Sequence, residues 1–342
     1  MIWQWRQWAT ALNLDRFARG WLGGHGVVVM LHRVQADLSA WRGSPHLWVT
    51  LQQLRAIITT LRKEGYEWVS ISEALARRGS RHRSRFACLT FDDGYRDNYD
   101  LAFPLLYDLG VPATIYITTG FIEGTQVAWQ CGLEDLIERY PQIDLEIEGR
   151  RECLPAVDLT QKHFAYYQTC AWLNATTPAV REQALQDLEQ KYGFNFSQAS
   201  LEQMLTESML RQLASSGQIE LGAHTVSHPM LSALPTDAAK AEMIDSKQRL
   251  EVLSGQPVQH FAYPFGMHDS VNPEVLALAP TCGFTSAVLA YGGPVYPHSN
   301  PYALPRLPFG GPDTIASLRL RASGVPALLA RMGIYRPNLS GP

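Results

Sequence analysis

The sequence predicts an α/β protein, a distorted (β/α)7 TIM-like barrel with a mostly helical insertion. Seven short apolar segments have the composition of buried parallel strands, and segments with helix signals separate most of them. Candidate functional residues follow directly after several of these segments, which is where parallel barrels collect them. This rhythm stops for about ninety residues between Gly120 and Leu210, which predicts an insertion.

Composition is compatible with one large barrel or two domains. The chain has 342 residues, 46% of them hydrophobic, which supplies enough apolar surface for a sizeable core. A net charge of -3 gives no electrostatic reason to expect a nucleic-acid partner. The five cysteines are widely spaced and form no CxxC motif, so reduced thiols in the cytoplasm are the simplest account.

Residues 1–26 predict an amphipathic helix, because tryptophans at Trp5, Trp8 and Trp21 are interleaved with arginines. Such a helix can lie on a membrane surface or pack across the bottom of the barrel, and both alternatives are open. We find no signal-peptide pattern and no run long enough to span a bilayer. We therefore expect a cytoplasmic protein, with peripheral contact to the inner membrane through this helix as an option.

The predicted barrel begins with a strand over 27–34 that carries His32 near its end. A helix then starts after Thr50, which forms a capping box with Gln53, and it ends near Gly65. Asn272 followed by proline marks the start of a later helix. The remaining strands are predicted at 67–71, 86–91, 113–118, 219–223, 259–263 and 285–289.

The interruption of the barrel predicts a lid or substrate wall above its mouth. Within it, Pro178 to Tyr192 has the pattern of a helix and Ile143 to Cys153 that of a hairpin. The predicted division of the chain is an N-terminal helix at 1–26, a barrel at 27–123 and 211–310, an insertion at 124–210, and a C-terminal tail at 311–342.

Two adjacent carboxylates, Asp92 and Asp93, follow the third apolar segment, and Gly94 then lets the chain turn. Burying two unpaired carboxylates costs several kcal/mol, so a cation or hydrogen-bond donors should lie nearby. A solvated Asp-Gly turn is the alternative from this stretch alone.

A second strand end carries His224 and His228, directly after the apolar segment that ends at Ala223. Imidazole is the commonest zinc ligand, and histidines four residues apart can aim two nitrogens at one point. Two histidines and one carboxylate leave a position for water, which is the arrangement of a catalytic metal site.

Three motifs occur in order: TFDDG at 90–94, HTVSHP at 224–229 and FAYPFG at 261–266. They resemble the first three motifs of the polysaccharide deacetylases, carbohydrate esterase family four, also called the NodB homology domain. The resemblance covers roughly residues 27–306. It implies a distorted barrel of seven or eight strands and the hydrolysis of an N-acetyl group on an amino sugar.

The resemblance also implies roles for individual residues. Asp93, His224 and His228 would bind a divalent ion, with zinc expected and cobalt, nickel or manganese as alternatives. The ion would polarise the acetamide carbonyl and lower the pKa of bound water from about 15.7 toward about 7. Asp92 would be the general base, and the backbone N–H of Tyr95 would help to hold the tetrahedral oxyanion.

The sequence departs from the family pattern in two places. The late Leu-x-x-His motif has no convincing equivalent after Leu289, whereas VMLHRV resembles the start of the circularly permuted poly-N-acetylglucosamine deacetylases. By that resemblance His32 is the general acid; a histidine bonded to backbone is the alternative. The arginine usually found near the third-motif proline is missing, and Arg306 is the candidate to pair with Asp92. A structural ion pair elsewhere is the alternative for Arg306.

These residues predict a metal-dependent amide hydrolase that releases acetate from an N-acetylated glycan or a lipid-linked sugar in surface-glycan synthesis. Trp129, Tyr263, Pro264 and Phe265 are the candidate substrate contacts, since an aromatic face can stack on a sugar ring. Core packing is the alternative for Trp129. The competing functions are hydrolysis of another amide, such as a formamide on a lipid-linked sugar, and a catalytically silent glycan-binding barrel.

Overall fold

Buried apolar segments form the central strands of the sheet, in a computed structural model that describes residues 14–37, 41–78 and 84–333. The strands are β1 Gly26–Leu31, β2 Arg33–Gln35, β3 Trp48–Thr50, β4 Tyr66–Trp68, β5 Arg85–Phe91, β6 Ala113–Ile117, β7 Gln142–Ile147, β8 Arg150–Pro155, β9 Ile219–Ala223, β10 His260–Ala262, β11 Ser286–Val288 and β12 Leu307–Pro308.

Helices cover the outer face of the sheet or build the insertion. They are α1 Leu14–Leu22, α2 Leu51–Lys63, α3 Ile71–Arg78, α4 Phe103–Leu109, α5 Thr119–Glu123, α6 Trp129–Arg139, α7 Leu159–Ala175, α8 Pro178–Tyr192, α9 Phe196–Glu202, α10 Glu207–Ser215, α11 Thr236–Ser254, α12 Pro273–Thr281, α13 Ile315–Ala322 and α14 Val325–Arg331.

One curled parallel sheet forms the barrel, and the predicted fold class is confirmed. Its strand order is β11-β10-β9-β6-β5-β1-β12, and β4 pairs with the first residues of β5. Leu304 exchanges backbone hydrogen bonds with Ala287 and Leu289 at one edge of the sheet, and the chain then enters β12, which pairs with β1 at the other edge. A single segment thereby connects the two ends of the sheet.

The predicted helix boundaries are confirmed at two caps. Thr50 and Gln53 form the capping box of α2, and the Asn272 side chain accepts a hydrogen bond at the start of α12. The prediction of a strand over 67–71 is wrong in its second half, because α3 begins at Ile71. The carboxylate of Glu220 accepts the Ile71 backbone N–H at 3.0 Å, so a residue distant in sequence caps this helix.

The segment predicted as an insertion contains four helices, α6 to α9, and the antiparallel hairpin β7–β8, which confirms the predicted hairpin. Helix α8 has the predicted bounds. These elements bury a hydrophobic cluster separate from that of the barrel, which includes Trp129, Leu133, Leu136, Ile143, Leu145, Leu154, Tyr166, Leu173, Leu188 and Phe194. This cluster also takes in Trp41, which precedes β3.

The predicted N-terminal helix is described only from Leu14, so Trp5 and Trp8 lie outside the described residues. In the described part, the buried Arg19 forms an ion pair with Glu64 of the barrel, while Trp21 is 82% exposed. Helix α1 therefore packs on the barrel and still presents one large apolar side chain to solvent. Within the described ranges, we find no helix that combines the length and the apolar character needed to cross a membrane.

Candidate active site

The carboxyl ends of β1, β5, β9 and β10 meet at one end of the barrel, and the motif residues follow them directly. Asp92 and Asp93 continue from β5, and His224 continues from β9. Gly94 adopts φ +88°, a left-handed conformation that suits glycine and that turns the chain away after the two carboxylates.

Asp93, His224 and His228 form a compact cluster whose potential ligand atoms all lie within 4.8 Å of one another. Asp93 Oδ1 lies 3.4 Å from Nε2 of His224 and 3.4 Å from Nε2 of His228. This carboxylate oxygen is buried and accepts no hydrogen bond. A buried carboxylate oxygen without a donor is unfavourable, so the arrangement fits a cation shared by the three side chains.

The ring of His224 is oriented by the backbone. Its Nδ1 lies 2.8 Å from the carbonyl oxygen of Ala262, and an N–H there donates to that oxygen. Because Nδ1 is used in this contact, Nε2 is the ring nitrogen that faces Asp93 Oδ1 and that could bind a metal ion.

Burial and neighbouring charges shift the titration of this cluster. Burial acts to raise the pKa of Asp93, but the imidazoles of His224 and His228 outweigh it and hold the pKa well below its usual range. Burial lowers the pKa of His228 to about 4 despite the nearby carboxylate. The pKa of His224 is raised instead: burial acts to lower it, but Asp93 and Asp92 outweigh burial. A metal ion bound there would therefore displace a proton from His224, because ligands bind in their deprotonated forms.

Asp92 forms a buried bidentate ion pair with Arg306, as the sequence predicted. The two guanidinium N–H groups donate to Oδ1 at 2.7 Å and to Oδ2 at 2.6 Å, and the Arg306 side chain is 0% exposed. Its Nε donates to the carbonyl of Leu289 at 2.7 Å. Burial acts to raise the pKa of Asp92, but Arg306 outweighs it and the pKa is lowered. The carboxylate therefore stays ionised and can accept a proton.

His32 lies between β1 and β2, and its ring is half-buried. The ring is close enough to Asp92 and Asp93 to help lower the pKa of both carboxyls, although burial and other partners have larger effects. The carbonyl of His32 accepts a hydrogen bond from the side-chain amide of Asn98 at 2.9 Å. Asp97 accepts the backbone N–H of Val34 at 2.9 Å. The segment that carries His32 is thus tied to the turn that carries the two carboxylates.

Tyr95 lies in a short antiparallel bridge with Met204. The flanking hydrogen bonds run from Leu205 N–H to the Gly94 carbonyl and from Arg96 N–H to the Gln203 carbonyl. Tyr95 and Met204 therefore form a non-hydrogen-bonded pair, whose own N–H groups point away from the partner segment. This geometry leaves the Tyr95 N–H directed away from residues 203–205.

Three of the four predicted substrate contacts are buried, and one is exposed. Trp129 is only 7% exposed and packs in the core of the insertion, so the prediction that it faces substrate is wrong. Tyr263 is also buried; its hydroxyl donates to the carbonyl of Tyr302, and its ring packs against Phe261. Pro264 is buried as well. Only Phe265 of the four is exposed, at 52%, and its ring centroid lies 5.0 Å from that of His228.

The structure adds residues that the motifs did not indicate. The guanidinium of Arg33 lies over the rings of Trp48 and Tyr95, at 3.8 and 4.4 Å, and pairs with Asp97 at 3.1 Å. It also lies 3.7 Å from Glu134 of the insertion. In the sequence Arg33 is only a charged residue after an apolar segment, and no pattern there indicates that it joins the barrel to the insertion.

Comparisons with known proteins agree with this geometry. The family model described as polysaccharide deacetylase matches residues 79–150 and 167–287, more than half of the chain. A curated relative, YxkH of Bacillus subtilis (strain 168), whose name places it among polysaccharide deacetylases, is 30% identical over 103 residues. That match covers 30% of this chain and 36% of the relative, so it spans about a third of either protein.

Solved structures of deacetylases share the fold. The Streptococcus pyogenes deacetylase PplD, in complex with acetate, has a TM-score of 0.55 at 17% identity, over 86% of this chain and 97% of its own. IcaB from Ammonifex degensii has a TM-score of 0.56 at 18% identity, over 88% and 97%. A de-N-acetylase from Aggregatibacter actinomycetemcomitans has a TM-score of 0.54 at 14% identity, over 86% and 98%. At these identities the likeness concerns the fold.

Proposed function

The chain belongs to the polysaccharide deacetylase family, and from this premise we propose that it is a metal-dependent hydrolase that removes N-acetyl groups from amino sugars of a glycan. The observation that carries the proposal is the buried Asp93 Oδ1, which lies 3.4 Å from the Nε2 atoms of both His224 and His228. Beside it, Asp92 is held ionised by Arg306. A carboxylate base next to a metal triad suits water-dependent amide hydrolysis.

We propose that the triad holds zinc. Protein ligands about 2.1 Å from a zinc ion at tetrahedral angles lie about 3.4 Å from one another, whereas ligands at right angles would lie about 3.0 Å apart. The separations from Asp93 Oδ1 to Nε2 of His224 and of His228, 3.4 Å each, are compatible with the tetrahedral case. Cobalt, nickel and manganese are the alternative ions, and reloading the metal-free protein with each of them allows a direct comparison.

In the proposed reaction, each side chain has a role that follows from its contacts. When bound, the ion supplies positive charge that polarises the acetyl carbonyl and acidifies water. Asp92 accepts the proton of the attacking water, and the backbone N–H of Tyr95 donates to the oxygen that gains charge. His32 donates a proton to the leaving amine nitrogen. Arg306 contributes by keeping Asp92 ionised while it is buried.

Two features support a glycan as substrate. The fold is shared with IcaB and with the de-N-acetylase from Aggregatibacter actinomycetemcomitans. The exposed ring of Phe265, next to His228, offers an apolar face at the mouth of the site on which a sugar ring can stack. We propose a polymeric or lipid-linked N-acetylated sugar, and an N-formylated sugar is the alternative with the same chemistry.

We also propose peripheral contact with the inner face of a membrane through the N-terminal region. Trp21 on α1 is 82% exposed; α14, which packs against α1, exposes Leu328, and Met332 directly after α14 is exposed too. Exposed tryptophan beside aliphatic side chains suits the interfacial region of a bilayer. Co-sedimentation with anionic phospholipid vesicles, compared between the wild-type chain and Trp21→Ser, tests this; equal sedimentation of the two would contradict it.

The test of the enzymatic proposal starts with metal content. The purified chain is stripped of metal, reloaded with zinc, cobalt, nickel or manganese, and analysed by elemental mass spectrometry beside His228→Ala and His298→Ala. His298 is an exposed histidine whose ring stacks on Tyr296 and which is not part of the candidate metal cluster. We expect about one ion per chain in the wild type and in His298→Ala, and a loss in His228→Ala.

Activity is then measured as acetate released from acetylated and, separately, formylated glucosamine oligosaccharides. We expect release by the zinc-loaded wild type and a loss of at least about a hundredfold in Asp92→Asn, which keeps the shape but removes the base. Metal binding without hydrolysis of any N-acylated glycan would favour the silent glycan-binding barrel. Absence of metal binding after reloading would remove the proposed mechanism.

A further inference from the structure

The turn that carries His228 has an unfavourable backbone conformation. Thr225 has φ +67° and His228 has φ +56°, both in the left-handed region that non-glycine residues rarely adopt. Each such residue costs about 1–3 kcal/mol and persists only where its surroundings impose it. His224, by contrast, continues directly from β9, and its ring is fixed by the Ala262 carbonyl. The two histidine ligands therefore depend on different supports.

Hydrogen bonds hold this turn from two sides. On the barrel side, Gly120 N–H donates to the Val226 carbonyl at 2.9 Å. On the opposite side, the half-buried carboxylate of Glu242 on α11 accepts three hydrogen bonds. They come from Val226 N–H at 2.8 Å, Ser227 N–H at 3.0 Å and the Ser227 hydroxyl at 2.6 Å. Hydrogen bonds to an ionised carboxylate are about twice as strong as neutral ones.

Two further hydrogen bonds fix the backbone of His228 itself. Its backbone N–H donates to the hydroxyl of Thr225 at 3.0 Å, and that hydroxyl donates in turn to the carbonyl of His224. With residues 226 and 227 anchored on Glu242, the chain has no freedom to relax the left-handed residues at either side of them. The imidazole of His228 is thereby kept 3.4 Å from Asp93 Oδ1.

We propose that Glu242 is a positioning residue that holds His228 in place for the metal ion, so that its loss weakens metal binding before it affects the fold. This inference rests on the proposed metal-dependent function. Glu242 does not contact the ion site; it acts through the backbone of the turn. Partners of this kind, one step away from the ligands, typically change metal affinity by about 10–100-fold when they are removed.

The test measures the zinc dissociation constant by competition with a chromophoric chelator. We expect Glu242→Ala to bind zinc about 10–100-fold more weakly than the wild type. Glu242→Gln keeps an oxygen for the two N–H groups but loses the charge, so we expect a smaller loss. Asp245→Ala and Asp245→Asn are the matched controls, since Asp245 is an exposed acid on the same helix, and we expect wild-type affinity for both.

A general loss of stability is separated from positioning by two further measurements. The rise in melting temperature on zinc loading should shrink in Glu242→Ala, whereas a purely structural role lowers the metal-free and zinc-loaded melting temperatures equally. In a His228→Ala background, the weak residual zinc binding by Asp93 and His224 is measured at high zinc concentration. Glu242→Ala should change this residual dissociation constant by less than about twofold, because the ligand that it positions is gone.

The outcomes are distinct. Zinc affinity within about twofold of wild type in Glu242→Ala, or an equal loss with and without His228, would overturn the inference while leaving the metal site intact. If Glu242→Ala does not fold, Glu242→Gln and Ser227→Ala carry the same comparison. If the wild-type chain itself binds no zinc, the proposed function fails and the inference fails with it.

Discussion

Replacing Arg306 by methionine should destabilise the protein strongly, because Asp92 would then be a buried carboxylate without its cation. The guanidinium donates to both carboxylate oxygens, at 2.7 and 2.6 Å, and both side chains are almost completely buried. Removing one partner of a buried ion pair costs about 3–5 kcal/mol. Methionine keeps an unbranched apolar stem but not the volume of the guanidinium, so part of the loss should come from a cavity; comparison with the double variant below isolates the part due to the unpaired charge.

The assay is equilibrium unfolding in urea of the metal-free wild type, Arg306→Met, Asp92→Asn and the double variant. We expect the double variant to be more stable than Arg306→Met, because an amide at position 92 has no charge to bury. The electrostatic account would be refuted if the free energy of unfolding of Arg306→Met were less than about 1 kcal/mol below that of the wild type. It would also be refuted if the double variant were no more stable than Arg306→Met.

The contribution of Asp92 to stability should depend on pH in opposite directions in the wild type and in Arg306→Met. In the wild type, the lowered pKa of Asp92 means that its contribution to stability is complete above the ordinary aspartate pKa and is lost as the pH falls through the lowered value. In Arg306→Met, burial without the cation raises that pKa, so the deficit should shrink as the pH falls and Asp92 takes up a proton. Unfolding curves at several pH values measure both trends.

Three further predictions concern other groups. His32→Gln should lower kcat of the zinc-loaded enzyme by about 10²–10⁴-fold without changing zinc affinity; an unchanged kcat would exclude His32 as the acid. Burial lowers the pKa of His260, while Glu220 acts in the opposite direction. Stability should therefore decline as the pH falls below about 6.5, because the unfolded chain then binds a proton that the folded chain does not. His260→Asn should flatten this decline in thermal melts. Excess chelator should lower the melting temperature of the zinc-loaded wild type but leave that of His228→Ala unchanged.

The convergence of Asp92, Asp93 and His224 was predictable because a parallel barrel brings the carboxyl ends of its strands to one end. The pairing of Arg306 with Asp92 was also within reach, since a buried carboxylate needs a cation and the third motif lacks its usual arginine. What the sequence could not indicate is which helix carboxylate approaches a given turn. Glu242 is an ordinary acid in a helical pattern, and only the packing of α11 brings it to residues 226 and 227.

The aromatic residues illustrate a second limit. Trp129 begins a helix that is buried on more than one side, and the sequence does not indicate which side faces the barrel mouth. Tyr263 shares the strand face of Phe261, so the period of two directs both rings into the core rather than toward the site. Phe265 is exposed instead, because its φ of +61° turns the chain after Pro264 and directs its ring out of the core.

That local turn is part of a wider pattern. Four of the five non-glycine residues with left-handed backbone in the described part of the chain, Asp93, Thr225, His228 and Phe265, lie in or beside the candidate site. Each conformation costs about 1–3 kcal/mol, so the surrounding hydrogen bonds must impose them. Because the Glu242 bonds to the turn join groups of the protein alone, they form without an ion. The geometry of the His228 turn would therefore be set before a metal ion binds, and the proposed binding would not spend free energy on ordering it.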